Sequence, residues 1–297
     1  MPTSEFNSTF IEWPTWATVA SVYTLWWIVL DNFEVIPFAP VLLVIVLAFH
    51  GSVQHELLHG HPTKSQLIND LLAYPPLAIW YPYPVYKDTH LIHHDDVNLT
   101  VPGVDPESKY MTEGDWDNLT KWKQQLALFN MTLLGRLTLT PLLHFVKLQK
   151  QMFVSLRMPL SPISVVWIIH ELLVLSLLLL VGFFFLVNVF EYIVCAYFAQ
   201  SVILLRSFYE HRAAKEPSHR SIIMNASLPV RLLFLNNNYH IVHHNKPGMS
   251  WYRLPTEYKD RTDEYHKMNG NFIESGYNRW FKKYLFRAVC HPKHFGF

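Results

Sequence analysis

Long uncharged apolar runs alternate with polar, histidine-rich stretches along the 297-residue chain. A helix needs about 20 predominantly apolar residues to cross a bilayer. Four segments approach that length: Thr15–Leu30, Ile36–Leu58, Ile163–Val187 and Val189–Leu205. Only short links, Asp31–Val35 and Phe185–Val189, separate the members of each pair, so the pattern predicts two helical hairpins. The expected fold is an all-α integral membrane protein. Its four transmembrane helices stand under a helical cap formed by residues 59–157 and 206–297, as one domain. Two further stretches are apolar but interrupted. Gln125–Val146 contains Arg136 and Pro141, and Leu67–Tyr83 contains Pro75, Pro76 and Pro82. If either crossed the membrane, the histidine clusters on its two sides would be split between opposite faces. Both are therefore expected to lie at the interface or to re-enter. Trp80, Tyr81 and Tyr83 suit the headgroup level.

Charge placement sets the expected orientation. Residues 1–63 and 158–205 contain no Lys or Arg, and all 24 basic residues fall in 64–157 or 206–297. By the positive-inside bias both basic regions, and with them the cap and both termini, are expected in the cytosol. Composition agrees with a membrane protein: 51% of residues are hydrophobic and 16% charged, against a usual charged share of about a quarter. Cys195 lies inside an apolar run and Cys290 has no obvious partner, so no disulfide framework is expected. The net charge of +1 points to no nucleic acid or other polyanion. No cleavable leader pattern is visible.

The unusual residue is histidine, present 17 times. Three clusters stand out: His55-Glu-Leu-Leu-His59-Gly-His61, His90-Leu-Ile-His93-His94 and His240-Ile-Val-His243-His244, the last preceded by Asn236-Asn237-Asn238-Tyr239. His55 and His59, four apart, share one helix face. The second and third clusters each place histidines at i, i+3 and i+4, which projects three imidazoles from one side of a helix. A lone histidine is usually a satisfied core or surface residue, but three clusters of repeated helical spacing point to a metal. Neutral imidazole suits zinc, iron, copper and nickel. A zinc site takes about four ligands, so nine clustered histidines plus His211 fit two metals of higher coordination with positions left open.

These boxes, on a four-span frame, resemble those of the membrane fatty acid desaturase/hydroxylase superfamily. Softer similarities are Pro106-Glu107-Ser108 after the second box and Trp251-Tyr-Arg-Leu-Pro255 after the third. The resemblance covers roughly residues 40–260. It implies two irons held by His55, His59, His61, His90, His93, His94, His240, His243 and His244, with O₂ as co-substrate and hydrogen removed from an unactivated C–H bond. His211, in Arg206-Ser-Phe-Tyr-Glu-His211, matches an additional ligand of many members, and Asn237 matches a residue that orients a metal-bound water or a histidine. Glu56, Asp95 and Asp96 are candidates for carboxylates that hold a ligand histidine in one tautomer. The His-Glu-x-x-His-Gly-His form of the first box looks closer to bacterial desaturase-like, carotenoid-modifying and alkane-oxidising branches than to the best-known acyl-CoA desaturases. That form implies a bacterial inner membrane and leaves the outcome open among desaturation, hydroxylation, ketone formation and oxidative decarboxylation. A fatty acid or acyl lipid is the expected substrate. The chain has no His-Pro-Gly-Gly haem stretch, Cys-rich iron–sulfur pattern or Gly-x-Gly-x-x-Gly loop. Electrons are therefore expected from a separate ferredoxin, rubredoxin or cytochrome.

Two other classes compete. His55-Glu56-x-x-His59 also matches an intramembrane zinc protease, with Glu56 as general base, but that mechanism leaves two histidine triads unused. A metal transporter would need ionisable residues along its spans, whereas these clusters lie at or beyond span ends. His170 and Glu171, inside the third span, are expected to make a polar contact between helices. His144, His219, His266, His291 and His294 are isolated and read as ordinary cap residues. Arg206, Arg212 and Arg231 could meet an anionic headgroup but read first as the topological signal.

Overall fold

The computed structural model describes residues 11–95, 97–158 and 160–295. The chain is mostly helical, with one two-stranded parallel pairing, Ile223–Met224 with Ile273–Glu274. The first helix, α1, spans Trp13–Asp31, and α2 spans Ala39–Leu58. Each begins with proline in its first turn, where the missing N–H costs nothing. After a short helix α3 (Gln66–Ala73) and a proline-rich loop comes α4 (Tyr83–His93). Two helices, α5 (Lys121–Asn130) and α6 (Leu133–Ser155), follow. The second apolar half is α7 (Pro162–Leu179), prolonged by one π-helical turn to Phe184, and α8 (Val189–Arg206). Ser161 and Asn188 cap the first backbone N–H groups of α7 and α8. The helix carrying the last histidine box, α9, is short, His240–Asn245.

Among the described residues three helices are long and apolar enough to cross a membrane: α2, α7 with its π turn, and α8. The expected first span is a helix of suitable length, but its four Trp, one Tyr and three Thr leave it less apolar than the other three. The bent pair α5–α6 would make a fourth apolar unit, turning by 110° at residues 131–132. No straight helix runs through 125–146, and Gly135 is one reason. A Cβ there would run into the Phe129 carbonyl at the bend. Nor does Leu67–Tyr83 cross, since α3 has only 8 residues. That helix buries Asn69 and Ala73 and turns Leu67, Ile68 and Leu71 outward, as an interfacial helix does.

The central element is α2, 72% buried, whereas the α7 span is 22% buried and presents Leu172, Leu175 and Phe183 outward. Two contacts orient α8 against α2: Cys195 meets the Pro40 carbonyl at 3.6 Å, and a Cβ on Gly51 would touch Ile203. The two helices therefore run parallel, and both end on one side of the molecule. Tyr192 fastens the frame. Its hydroxyl donates to the Leu77 carbonyl at 2.7 Å and accepts from Trp26 Nε1 at 3.1 Å. His170 contacts the Ile79 carbonyl of the proline-rich loop at 3.2 Å, a helix-to-loop bond rather than the expected helix-to-helix one.

Candidate metal centre

The parallel ends of α2 and α8 supply the floor of the site. His55 and His59 close α2, one turn apart, and His211 follows α8 by five residues. Helices α4 and α9 lay the other two boxes across that floor. Nine histidines converge as two groups. The first is His55, His59, His90, His94 and His243; the second is His93, His211, His240 and His244. Within each group every candidate donor atom lies within 4.8 Å of the others. Helical geometry explains how the boxes divide. The i, i+4 pair His90/His94 serves the first group while His93 turns to the second. On α9 the pair His240/His244 serves the second group while His243 turns to the first. The groups adjoin, with the His94 and His244 rings stacked at 4.3 Å.

Ring nitrogens face one another at short range. Nε2–Nε2 distances are 3.1 Å for His90–His94 and His94–His243, 3.0 Å for His93–His211 and 2.8 Å for His211–His240. A metal-bound imidazole nitrogen sits about 2.0–2.1 Å from a zinc-sized dication, so nitrogens at right angles on one ion are about 3.0 Å apart, and tetrahedral ones about 3.4 Å. The observed spacings are those of donors shared by one ion at right angles. The buried Nε2 atoms of His55 and His59 have no hydrogen-bond partner, and buried polar atoms are rarely left so. A first-row metal fits both facts.

The far side of several rings is held by residues distant in sequence. His93 Nδ1 donates to Asp105 Oδ1 at 2.9 Å, and Asp105 also accepts from the Thr100 and Glu107 backbone N–H groups. His90 Nδ1 donates to Glu107 Oε1 at 2.9 Å. His240 Nδ1 lies 3.3 Å from Asn237 Oδ1, and Asn237 Nδ2 donates to Glu210 Oε1 at 2.9 Å. Such partners fix the tautomer that leaves Nε2 free for a metal. Asn237 thus lies between His240 and Glu210. Asp105 and Glu210 were not anticipated from the sequence, and Glu107 was noticed only within Pro106-Glu-Ser108. They lie 12, 27 and 17 residues from the side chains they meet, and no short-range periodicity marks them.

Electrostatics favours neutral ligands. Burial, reinforced by neighbouring imidazoles, holds His59, His94, His211, His240, His243 and His244 below the ordinary histidine range. Burial also lowers His90, with Glu107 opposing it. His93 is the exception. Burial would lower it, but Glu107, Asp105 and Glu210 overcome that and hold it up at about 9. Burial would raise the Glu107 carboxyl, yet His93 and His90 keep it well below the carboxylate range.

Three expected residues lie away from both groups. Gly60, at φ 94°, reverses the chain just after α2, a conformation that suits glycine alone. His61 is thereby carried to the other side of the box. Its Nδ1 meets Glu12 Oε2 at 2.9 Å, and its Nε2 is 3.9 Å from Glu56. Glu56 itself is turned from the metal donors and accepts the Trp251 backbone N–H at 2.9 Å. Asp95 is exposed and accepts from Asn98 in the turn after α4, because the helix ends before its side chain can face the cluster. Asp96 is outside the described residues.

Apolar helices that end in two adjoining, buried imidazole groups define a histidine-box protein with the donor sets of a metal site. The family profile described as fatty acid desaturase matches residues 32–276. The chain belongs to that family, whose members are lipid-modifying oxidoreductases. No curated protein matches it significantly.

Proposed function

We propose that this chain is an O₂-dependent, non-haem di-iron oxidoreductase acting on a C–H bond of a lipid alkyl chain, with fatty acid or acyl-lipid desaturation the favoured outcome. The observation that carries the reading is the pair of adjoining imidazole groups, with five and four donors. Five donors exceed the four of a zinc site, and imidazole ligation suits iron. We assign one iron to His55, His59, His90, His94 and His243, and the other to His93, His211, His240 and His244. When bound, the two irons supply O₂ activation and hydrogen removal from an unactivated C–H bond. The chain's own part is to aim the donors through Asp105, Glu107 and Asn237, and to receive a substrate in the cavity that His93 and His211 line. Electrons come from a separate ferredoxin, rubredoxin or cytochrome. The basic-residue bias supports a site on the cytosolic face, and the form of the first box supports a bacterial inner membrane.

Hydroxylation, ketone formation or oxidative decarboxylation of a fatty acid, alkane or carotenoid would use the same site. The zinc-protease reading fares worse, because its general base, Glu56, is occupied by Trp251 and His61. Metal analysis of the purified protein is the test, with about two irons per chain expected. One zinc and no iron would refute the assignment. Lipid profiles of cells with and without the protein then name the product by its new double bonds, hydroxyls or terminal alkenes.

A further inference from the structure

Beside the histidine groups lies a cavity of about 480 Å³, bounded by α4, α6, α8 and the loop around residue 107. Its size is that of an enclosed small-molecule site. Glu107 opens onto it, which is why a deeply placed side chain remains 32% accessible. Apolar wall is supplied by Val85, Leu143 and Ile203. Four cations line the same space; Arg206 is paired with Glu210 and Lys147 is exposed, which leaves Arg136 and Lys109.

Neither cation has a counter-ion. Among the described residues no carboxylate lies within 4.0 Å of Arg136 or Lys109, whereas Arg206 has Glu210 at 3.5 Å and Lys87 has Asp70 at 2.7 Å. Arg136 donates Nε to the Leu204 carbonyl at 3.1 Å and Nη2 to Ser207 Oγ at 2.7 Å. A guanidinium carries five N–H donors, so three remain. Lys109 donates to the Phe208 carbonyl at 2.9 Å and sits 5.0 Å from the Tyr209 ring centre. The three acids on this cavity are already engaged, Asp105 by His93, Glu107 by His90, and Glu210 by Arg206 and Asn237.

Capping the end of α8 accounts for one donor of each cation. It does not account for a pair of inward-facing positive charges, which are costly without a partner. Burial draws the Lys109 amine down to about 8; Arg136 adds to this, and Cys290 and Glu210 oppose it. An anion in the cavity would remove that penalty.

Building on the lipid-chain substrate above, we infer that the cavity takes a single-chain free fatty acid, with its carboxylate held between Arg136 and Lys109. A planar guanidinium and an ammonium together match a carboxylate's two oxygens. An ester lacks the charge, and its alkoxy oxygen is a poor acceptor.

The test is equilibrium binding to the full-length protein, purified with its metals and kept free of oxygen. The probes are palmitic acid, its methyl ester and palmitoyl-lysophosphatidic acid. The acid is expected to bind at least tenfold more tightly than the ester. Arg136→Gln and Lys109→Gln should each weaken the acid about tenfold and leave the ester unchanged. Gln at 136 carries Nε2 where Arg carries Nε, in reach of the Leu204 carbonyl, so that cap is largely retained. Equal binding of acid and ester, or equal loss of both in the variants, overturns the inference. Tighter binding of the lysophosphatidic acid assigns the cations to a phosphate and overturns the free-acid substrate. Should Arg136→Gln not fold, the wild-type ratio and Lys109→Gln still decide. Binding does not depend on turnover, so a protein without oxidase activity would sink the proposed function while leaving this ratio intact.

Discussion

Replacing Asp105 by Asn removes one negative charge from beneath a single histidine. Asp105 is 5% exposed and accepts three hydrogen bonds, from His93 Nδ1 and from the backbone N–H groups of Thr100 and Glu107. An amide keeps one acceptor oxygen, but its NH₂ would face a second donor. His93 then loses the partner that fixes its tautomer. Loss of such a partner typically costs about 10–100-fold in metal affinity, or about 1.4–2.8 kcal/mol at about 1.4 kcal/mol per decade. The cost falls mainly on the four-histidine group, since Asp105 touches no ring of the five-histidine group. Iron content measured against a graded chelator should therefore fall from about two per chain toward one at a chelator level where the wild type keeps both. Asp95→Asn, an exposed turn residue, is the control and should match wild type. Simultaneous loss of both irons, or none, in Asp105→Asn would refute the division into two groups held from behind by separate carboxylates.

Other outcomes follow from the same geometry. His61→Ala should retain both irons, because His61 pairs with Glu12 rather than with either group; a loss of one iron would make it a ligand after all. Gly135→Ala should lower stability by about 1–3 kcal/mol, read as a drop in Tm, since the added Cβ meets the rigid Phe129 carbonyl rather than a movable side chain. Palmitate binding should weaken as pH rises past a point at or above about 8. Burial holds the Lys109 amine near that value, so it is charged below and neutral above, while the acid stays ionised throughout. Lys109→Arg should abolish the decline, and its persistence in that variant would assign the titration to another group.

Much of the fold was legible because membranes impose a long-range rule on short-range composition. Twenty apolar residues in a row cannot be hidden in a small soluble core, so α2, α7 and α8 announced themselves. The first span was harder. Its tryptophans suit both a lipid interface and a packed helix, and in the structure Trp26 does the latter by reaching Tyr192. The interrupted stretch around Arg136 was expected at the interface or as a re-entrant segment, and in the structure it is bent by 110° between α5 and α6. What turns it, Thr132 capping the Gly135 N–H at a bend only glycine can fit, is a backbone event that hydropathy does not register.

The histidine spacing alone established that imidazoles would be presented in helical sets, because i, i+3 and i+4 residues share a face whatever the fold around them. It could not say which imidazole joins which group. His90 and His93 come from one helix yet serve different groups, and that division depends on how α4 and α9 cross over the ends of α2 and α8. His61 shows the same limit. Two residues beyond His59, it belongs to the box by spacing, but a single left-handed glycine sends it to Glu12. The supporting carboxylates Asp105, Glu107 and Glu210, and the cation pair Arg136 and Lys109, were invisible as a set. They meet their partners across 12 to 99 residues of chain, and only packing brings such distant positions to one wall.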